Sequence, residues 1–380
     1  EPISQLGYSC DYINQNVFSK ATVTNGVFSY GKMNFKLLVL ASLKSITLES
    51  VEKLKAFVAS GGKVVVIDGL PEKSLGYKDY KANDAVVAAI ISEIKTKYAS
   101  SLIDVKQPES INHLFNWTQG VLKKSGVTAD VELSNPDESL FQIHQVTENK
   151  TLYFFTNMNR NKVIRTKAKF PIQNKHPYQW NPEAGERIPY YFESSSSELE
   201  IELEPLESLL LVFEDEKPSL KTTNEMPVLV TSQGIESDWE VIGNRVDGKR
   251  FTWNMSKLAN FGTSTDTSQN SFAGELVYKT EIDITDTFTH LDLGDVNEGI
   301  TELYINGKKV GKRWYGKAIY PIGEFLKNGK NTIEIKYTSI LANYCMSLDN
   351  PMTNRWTRGY KKNGKIAVGL EGPIQLTNFK

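Results

Sequence analysis

The sequence predicts a multidomain chain in which an α/β module precedes two all-β regions. In the first third, short continuous apolar runs alternate with amphipathic helical segments, which is typical of a parallel sheet covered by helices. From residue 128 onward, apolar and polar residues alternate, which is the period of half-buried strands. The length of 380 residues suggests roughly two to four domains of ordinary size.

Two short apolar runs define the parallel strands of the first predicted domain, 1–127. Leu37–Leu40 and Val64–Ile67 are each predicted to be buried on both faces of a sheet. Between them, Thr47 is the predicted N-cap of a helix that ends at the Gly61-Gly62 pair. Strand, helix and strand with tight connections indicate a right-handed parallel unit. We therefore predict a small open α/β module of flavodoxin-like type.

Two further helices complete this module in the prediction. One opens at Asn83 or Asp84, and the other runs from 109 to 124. Neither turn after the predicted strands carries a glycine-rich phosphate loop or a nucleophilic elbow. We expect Cys10 to be a small buried side chain, since a cysteine without a nearby histidine usually packs as one.

The middle region, 128–215, reads as a small antiparallel β domain. Phe141, Ile143 and Gln145 alternate with polar neighbours. Residues 198–203 alternate strictly, with Leu199, Ile201 and Leu203 on one face. An acidic run then begins at Glu214, and 216–226 is predicted to be a linker.

The last region, 227–380, is predicted to be a β-sandwich of jelly-roll type. Gly274–Ile284 places alternate apolar residues on one face, and Asn306-Gly307 is a type I′ hairpin signal. Ile333, Ile335 and Tyr337 mark another half-buried strand, and 354–356 reads as part of a polar loop.

Composition excludes several function classes. Lys and Arg number 44 against 45 Asp and Glu, so the chain has no basic excess for nucleic acid or an anionic membrane. Two cysteines and four separated histidines give no disulfide framework and no zinc-ligand spacing. No apolar run approaches the ~20 residues of a membrane-spanning helix.

Several segments, in order along the chain, carry a resemblance to known families. Segments 291–296, 303–315 and 326–335 resemble the galactose-binding-like sugar-binding sandwich of glycoside hydrolase family 2. Six further segments resemble the region that follows the barrel in glycoside hydrolase family 106, the α-L-rhamnosidases: 7–14, 35–40, 152–157, 180–185, 341–343 and 369–374. Ser9-Cys10 departs from the usual pattern of that family.

The resemblance implies an accessory role. In family 106 the catalytic carboxylates and a bound calcium lie on a (β/α)₈ barrel, which needs ~200 or more residues. Only the first third of this chain is α/β, so we expect no catalytic residue here. Asp11, Tyr12 and Asn14 would then face the barrel of the same polypeptide. The start at Glu1, without Met, suggests a cleaved leader or a longer parent protein, and the family implies an exported periplasmic or extracellular bacterial protein.

Aromatic residues in polar segments are the carbohydrate-binding candidates. Pyranose rings stack on aromatic faces while amides and guanidinium groups bind their hydroxyls. The predicted sugar-binding residues are Trp314, Tyr315, Arg355 and Trp356. Asp292, Asp295 and Glu298 are candidate ligands of a structural calcium, and no other cofactor is expected.

Two other functions remain open at this stage. The chain could be a stand-alone carbohydrate-binding protein, or an interaction module that docks a separate catalytic chain. The carboxylate pairs Asp292 with Asp295 and Glu298 with Glu302 are more typical of a solvated face than of a glycosidase.

Overall fold

The computed structural model describes residues 2–183, 185–190, 198–217, 229–348 and 350–379. It divides into two compact units, which are treated separately below. Unit 1 comprises Glu1–Met158, Ile164–Glu202 and Ser208–Lys221, and unit 2 comprises Asn159–Val163, Leu203–Glu207 and Thr222–Lys380. The described part of the chain contains no helix long and apolar enough to span a membrane.

Up to residue 214, the described residues form α-helices α1 to α5 and strands β1 to β16. The helices are α1 Pro2–Gln5, α2 Gln15–Lys20, α3 Leu48–Ala59, α4 Tyr80–Lys97 and α5 Leu114–Ser125. The strands are β1 Thr22–Thr24, β2 Val27–Tyr30, β3 Met33–Phe35, β4 Leu37–Ala41, β5 Ser45–Ile46, β6 Lys63–Ile67, β7 Lys73–Ser74, β8 Leu102–Val105, β9 Glu132–Leu133, β10 Leu140–Val146, β11 Thr151–Asn157, β12 Ile164–Lys169, β13 His176–Asn181, β14 Glu186–Pro189, β15 Glu198–Leu203 and β16 Ser208–Glu214.

The predicted parallel sheet is confirmed, with the strand order β4-β6-β8. Val64, Val65 and Val66 of β6 are almost completely buried, as predicted. The prediction that Leu37–Leu40 is buried on both faces is wrong, because β4 is an edge strand and Val39 is 47% exposed. An apolar run does not reveal whether a strand has one neighbour or two.

Helix α3 forms as predicted. The hydroxyl of Thr47 accepts a hydrogen bond from the Ser50 amide, and Gly61 follows the helix with φ of +96°. The predicted start of α4 at Asn83 or Asp84 is wrong, because the helix already begins at Tyr80. The Asp84 carboxylate instead accepts hydrogen bonds from the backbone and hydroxyl of Ser74, which lowers the Asp84 pKa.

The middle region contains a five-stranded antiparallel sheet with the order β10-β11-β16-β13-β14. The predicted alternation in β10 does not place its apolar residue in the core: Ile143 is 67% exposed, while Gln142 is buried. Gln142 and His144 pair with Phe155 and Tyr153 of β11, which face the core, so their own side chains share that face. The predicted inward face of β15 is confirmed, with Leu199, Ile201 and Leu203 buried.

The elements after residue 228 are mainly strands. The helices are α6 Thr267–Asn270, α7 Ala342–Ser347 and α8 Pro351–Asn363. The strands are β17 Leu229–Gly234, β18 Trp239–Arg245, β19 Arg250–Met255, β20 Gly274–Ile284, β21 His290–Asp292, β22 Asp295–Val296, β23 Gly299–Ile305, β24 Lys308–Arg313, β25 Ile319–Pro321, β26 Gly329–Ser339, β27 Leu370–Gly372 and β28 Gln375–Phe379.

Two antiparallel sheets of unit 2 contribute to one hydrophobic core. Their strand orders are β17-β28-β21-β25 and β19-β18-β20-β26-β23-β24. Leu291 and Leu376 of the first sheet share the core with Leu276 and Ile335 of the second. The predicted hairpin is confirmed: β23 pairs with β24 around Asn306-Gly307, and both turn residues have positive φ.

The prediction of a loop at 354–356 is wrong, because these residues lie in α8. Asn350 is the N-cap and accepts a hydrogen bond from the Met352 amide, and Pro351 occupies the first turn. The Asn350-Pro351 pair is therefore a helix start rather than a loop signal.

The proposed domain boundaries at 127/128 and 215/216 remain predictions. From 218 onward, the predicted linker 216–226 lies outside the described residues.

Candidate functional site

Trp314 and Tyr315 lie in the loop directly after β24. Their rings are 4.8 Å apart between centroids and meet edge to face at 78°. The Trp314 side chain is 58% exposed and Tyr315 is partly exposed. The pair therefore offers solvent a fixed aromatic surface next to the basic strand β24.

Arg355 and Trp356 lie on α8, whose amphipathic pattern leaves an apolar face in solvent. Met352, Trp356 and Tyr360 follow each other at four-residue intervals and are 66%, 76% and 43% exposed. Arg355 is also exposed beside this row. An indole with a neighbouring guanidinium group has the chemistry to stack on a pyranose ring and to donate to its hydroxyls.

The three acidic candidates for calcium are not brought together. Asp292 Oδ1 accepts a hydrogen bond from the Gly294 amide, and Glu298 forms an ion pair with Arg160 of the same unit. Asp295 lies on β22, which pairs with β27. Among the described residues, no group of three His, Cys, Asp or Glu side chains is arranged to hold a metal ion.

Glu302, the other carboxylate considered, faces lysines on its own hairpin. It accepts a hydrogen bond from Lys309 at 3.0 Å, which lowers the Glu302 pKa, and Lys312 lies 3.7 Å away. A carboxylate held ionised on a solvated strand lacks the raised pKa that a general acid needs.

The segment that precedes α2 displays Asp11 and Tyr12 on the surface of unit 1. Tyr12 is 90% exposed and Asp11 is exposed as well. The next residue, Ile13, packs against the hydrophobic core of unit 1. Asn14 caps α2, because its side-chain oxygen accepts a hydrogen bond from the Val17 amide at 3.1 Å. The expectation that Cys10 is buried is wrong, because its side chain is exposed.

Unit 1 contains a cleft that the sequence did not predict, here called the His144 cleft. It has a volume of about 390 Å³, and its polar lining includes Lys36, Asp130, Glu132, His144 and Lys169. The buried rings of Tyr153 and Phe170 form its apolar wall and meet edge to face at 4.7 Å.

Hydrogen bonds and stacking hold the wall of the His144 cleft in place. The Tyr153 hydroxyl donates to the Asp130 carbonyl at 2.8 Å, and burial raises the Tyr153 pKa. The His144 ring stacks on Tyr153 at 4.6 Å. Burial lowers the His144 pKa, and the nearby Asp130 carboxylate opposes that shift. The neutral imidazole is therefore the favoured form near neutral pH.

No short motif marks the His144 cleft in the sequence. Its residues come from the loop before β4, the segment around β9, and strands β10 to β12. The cleft could have been found only from the fact that His144 lies on the inward face of β10. That fact depends on how β10 pairs with β11.

The described residues form a multidomain protein in which a parallel sheet with helices precedes several antiparallel sheets. A sequence model of glycoside hydrolase family 106, α-L-rhamnosidase, matches residues 1–194, which is more than half of the 380 residues. The chain belongs to this family.

Two individual proteins are similar to this chain, one over about half of it and one over nearly all of it. A Formosa agariphila protein named "Putative beta-glucuronidase" is 28% identical over 185 residues, which are 48% of this chain and 14% of that protein. The rhamnosidase from Novosphingobium sp. PP1Y matches with a TM-score of 0.69 and 20% identity, over 97% of this chain and 36% of that one. The second match shows a shared fold. The chain therefore spans a minor part of both relatives.

Proposed function

We propose that this chain is the non-catalytic C-terminal portion of an α-L-rhamnosidase-like glycoside hydrolase and supports its catalytic barrel. The observation that carries this proposal is the coverage of the structural match: nearly all of this chain corresponds to 36% of the Novosphingobium rhamnosidase. Most of that enzyme has no counterpart here. The parent protein would be an exported bacterial enzyme, as the family suggests.

A direct assay tests the absence of catalysis. We expect the purified chain not to hydrolyse aryl α-L-rhamnosides, because Glu298 and Glu302 are paired with basic side chains and Asp295 is exposed, so these carboxylates are not set across a substrate bond. Turnover at enzyme-like rates would overturn the proposal.

The exposed segment at Asp11 and Tyr12 is proposed to face the barrel. A tyrosine that is 90% exposed beside a carboxylate, on a segment fixed by the Asn14 cap, is suited to an intramolecular interface. In the full-length enzyme, Tyr12→Ala should lower the thermal midpoint, whereas Tyr77→Ala, which removes an 89% exposed ring elsewhere in unit 1, should not. Equal midpoints for both variants would count against a barrel interface at this segment.

Unit 2 is proposed to be a galactose-binding-like jelly roll that binds carbohydrate. Its two sheets around one core support this architecture. The sugar would contact Trp314 and Tyr315, or Arg355 and Trp356, because these pairs join an exposed aromatic surface to polar neighbours.

Affinity electrophoresis in gels containing plant or bacterial polysaccharides tests the binding proposal. Tyr315→Ala and Trp356→Ala should each reduce retention, and Tyr77→Ala should leave it unchanged. Retention that is unaffected by both unit 2 variants would refute this assignment of the site.

Two alternatives make different predictions. A stand-alone carbohydrate-binding protein would retain glycans and have no barrel encoded upstream of Glu1. An interaction module would fail on a glycan array and would co-purify with a separate barrel-bearing chain. The length of the open reading frame separates both from the leading proposal.

A further inference from the structure

The His144 cleft lies in unit 1 and plays no part in the function proposed above. We propose that it binds one neutral sugar residue of a glycan, independently of the aromatic residues in unit 2. Its volume of about 390 Å³ lies within the range of roughly 300–1,000 Å³ that is usual for small-molecule sites.

The charge pattern of the cleft favours a neutral, hydroxyl-rich ligand. Lys36 and Lys169 supply two cations, while Asp130 and Glu132 supply two carboxylates. These charges balance, so the lining gives no net attraction to an anionic or cationic group. Donors and acceptors in one small space suit hydroxyl groups, because each hydroxyl both donates and accepts.

The opposed groups in the cleft are close, but they do not bond to each other tightly. Asp130 Oδ1 lies 3.7 Å from His144 Nδ1, and Glu132 Oε2 lies 3.8 Å from Lys169 Nζ. Both separations exceed a hydrogen bond. Elsewhere in unit 1, Arg165 Nε approaches Glu202 to 2.8 Å.

A ligand hydroxyl can bridge the two atoms of such a pair from the side, since it can donate to the carboxylate and accept from the opposite N–H group at once. This is the role that bridging waters commonly perform in polar sites. The cleft can therefore bind a sugar without first breaking strong internal ion pairs.

The wall of the cleft is apolar and rigid. Tyr153 and Phe170 are buried and meet edge to face, and the Tyr153 hydroxyl is bonded to the Asp130 carbonyl. A preformed aromatic wall beside polar groups can contact the C–H face of a sugar ring while the charged side chains reach its hydroxyls.

The test uses the full chain carrying Tyr315→Ala and Trp356→Ala, so that the proposed unit 2 site does not contribute. Neutral methyl hexopyranosides, including methyl α-L-rhamnoside, and the anionic methyl β-D-glucuronide are titrated by saturation-transfer NMR and calorimetry. Val146→Trp fills the cleft, since Val146 lines it and is 67% exposed. Ile143→Trp is the matched control, because Ile143 lies on the same strand with the same 67% exposure but not on the face of His144.

We expect at least one neutral glycoside to bind and the glucuronide to bind more weakly. Val146→Trp should abolish binding, and Ile143→Trp should leave the Kd unchanged. Asp130→Asn should weaken binding roughly tenfold, the effect typical of a lost hydrogen bond to a charged group. Asp104→Asn, at an exposed position on β8, serves as its control.

The proposal is overturned if none of the neutral glycosides binds this protein, or if the glucuronide binds more tightly than all of them. It is also overturned if Val146→Trp and Ile143→Trp have equal effects. Each of these results leaves the carbohydrate site proposed in unit 2 untouched, because that site has been removed from the tested protein.

Discussion

Replacement of Glu214 tests whether a buried carboxylate stabilises unit 1. Glu214 is the last residue of β16 and is only 5% exposed. Its two oxygens accept from Trp180 Nε1 at 2.9 Å and from Arg187 Nη1 at 2.8 Å. Lys150 Nζ lies 3.6 Å away and also stands 4.2 Å above the Trp180 ring. One side chain thus connects three strands and a turn.

The magnitude follows from these contacts. A hydrogen bond to a charged group contributes about 1.5–3 kcal/mol, and Glu214→Ala removes two of them. Arg187 keeps Glu216 at 3.0 Å and Trp180 is only partly buried, so neither donor is stranded and the lower end of the range applies. We expect a loss of about 3 kcal/mol, or about 9 °C in the thermal midpoint. Glu214→Gln, which can retain the Trp180 bond, should lose about half as much.

Urea unfolding measured by tryptophan fluorescence and circular dichroism provides the assay, because two probes reveal whether the two units unfold separately. Glu216→Gln is the control, since the Glu216 side chain is 65% exposed and should contribute little. The reasoning is refuted if Glu214→Ala and Glu216→Gln shift the unfolding midpoint equally.

Three further predictions concern local features of unit 1. Thr47→Ala should lower the free energy of unfolding, measured with urea, by about 1 kcal/mol because it removes the N-cap of α3. Thr47→Ser should keep both the capping hydroxyl and the stability. An unchanged unfolding free energy in Thr47→Ala would contradict the cap. Gly7→Ala should lower the thermal midpoint markedly, because Gly7 has φ of +84° and a Cβ there would lie 2.0 Å from the Val131 carbonyl oxygen. Gly31→Ala is the control and should lower the midpoint less, because Gly31 has φ of +60° but open space around it. A larger loss for Gly31→Ala than for Gly7→Ala would refute the clash. Because burial lowers the His144 pKa below its unfolded value near 6.5, the stabilisation from its neutral form is complete above that pH and is lost as the pH falls through the lowered pKa. The difference in unfolding free energy between pH 7.5 and 5 should therefore be smaller in His144→Phe than in the unchanged protein. An equal pH dependence of the two proteins would contradict a buried, neutral His144.

Features encoded within a few adjacent residues were predictable from the sequence. The Thr47 cap, the glycines after α3 and the Asn306-Gly307 hairpin each follow from the backbone conformation that those residues favour. Strict alternation in β15 likewise predicted its buried face. The resemblance to family 106 was also visible in the sequence, in several segments that follow one another along the chain, and the family match agrees with it.

The tertiary structure alone determined which residues surround each side chain and which face of a strand is buried. Glu214 looked like the start of a solvated acidic linker, yet Trp180 and Arg187 from other strands enclose it. In strand β10, the apolar Ile143 is exposed while Gln142 and His144 share the face of buried Tyr153 and Phe155, which the alternation alone does not reveal.

The sequence by itself thus determined the cap of α3, the hairpin turn, the period of most strands and the family. Tertiary structure decided which face of each strand is buried, where the exposed row on α8 lies and that a polar cleft exists at His144. The physical reason is that burial and charge pairing depend on residues distant in the chain, whereas caps, turns and periodicity depend on neighbours.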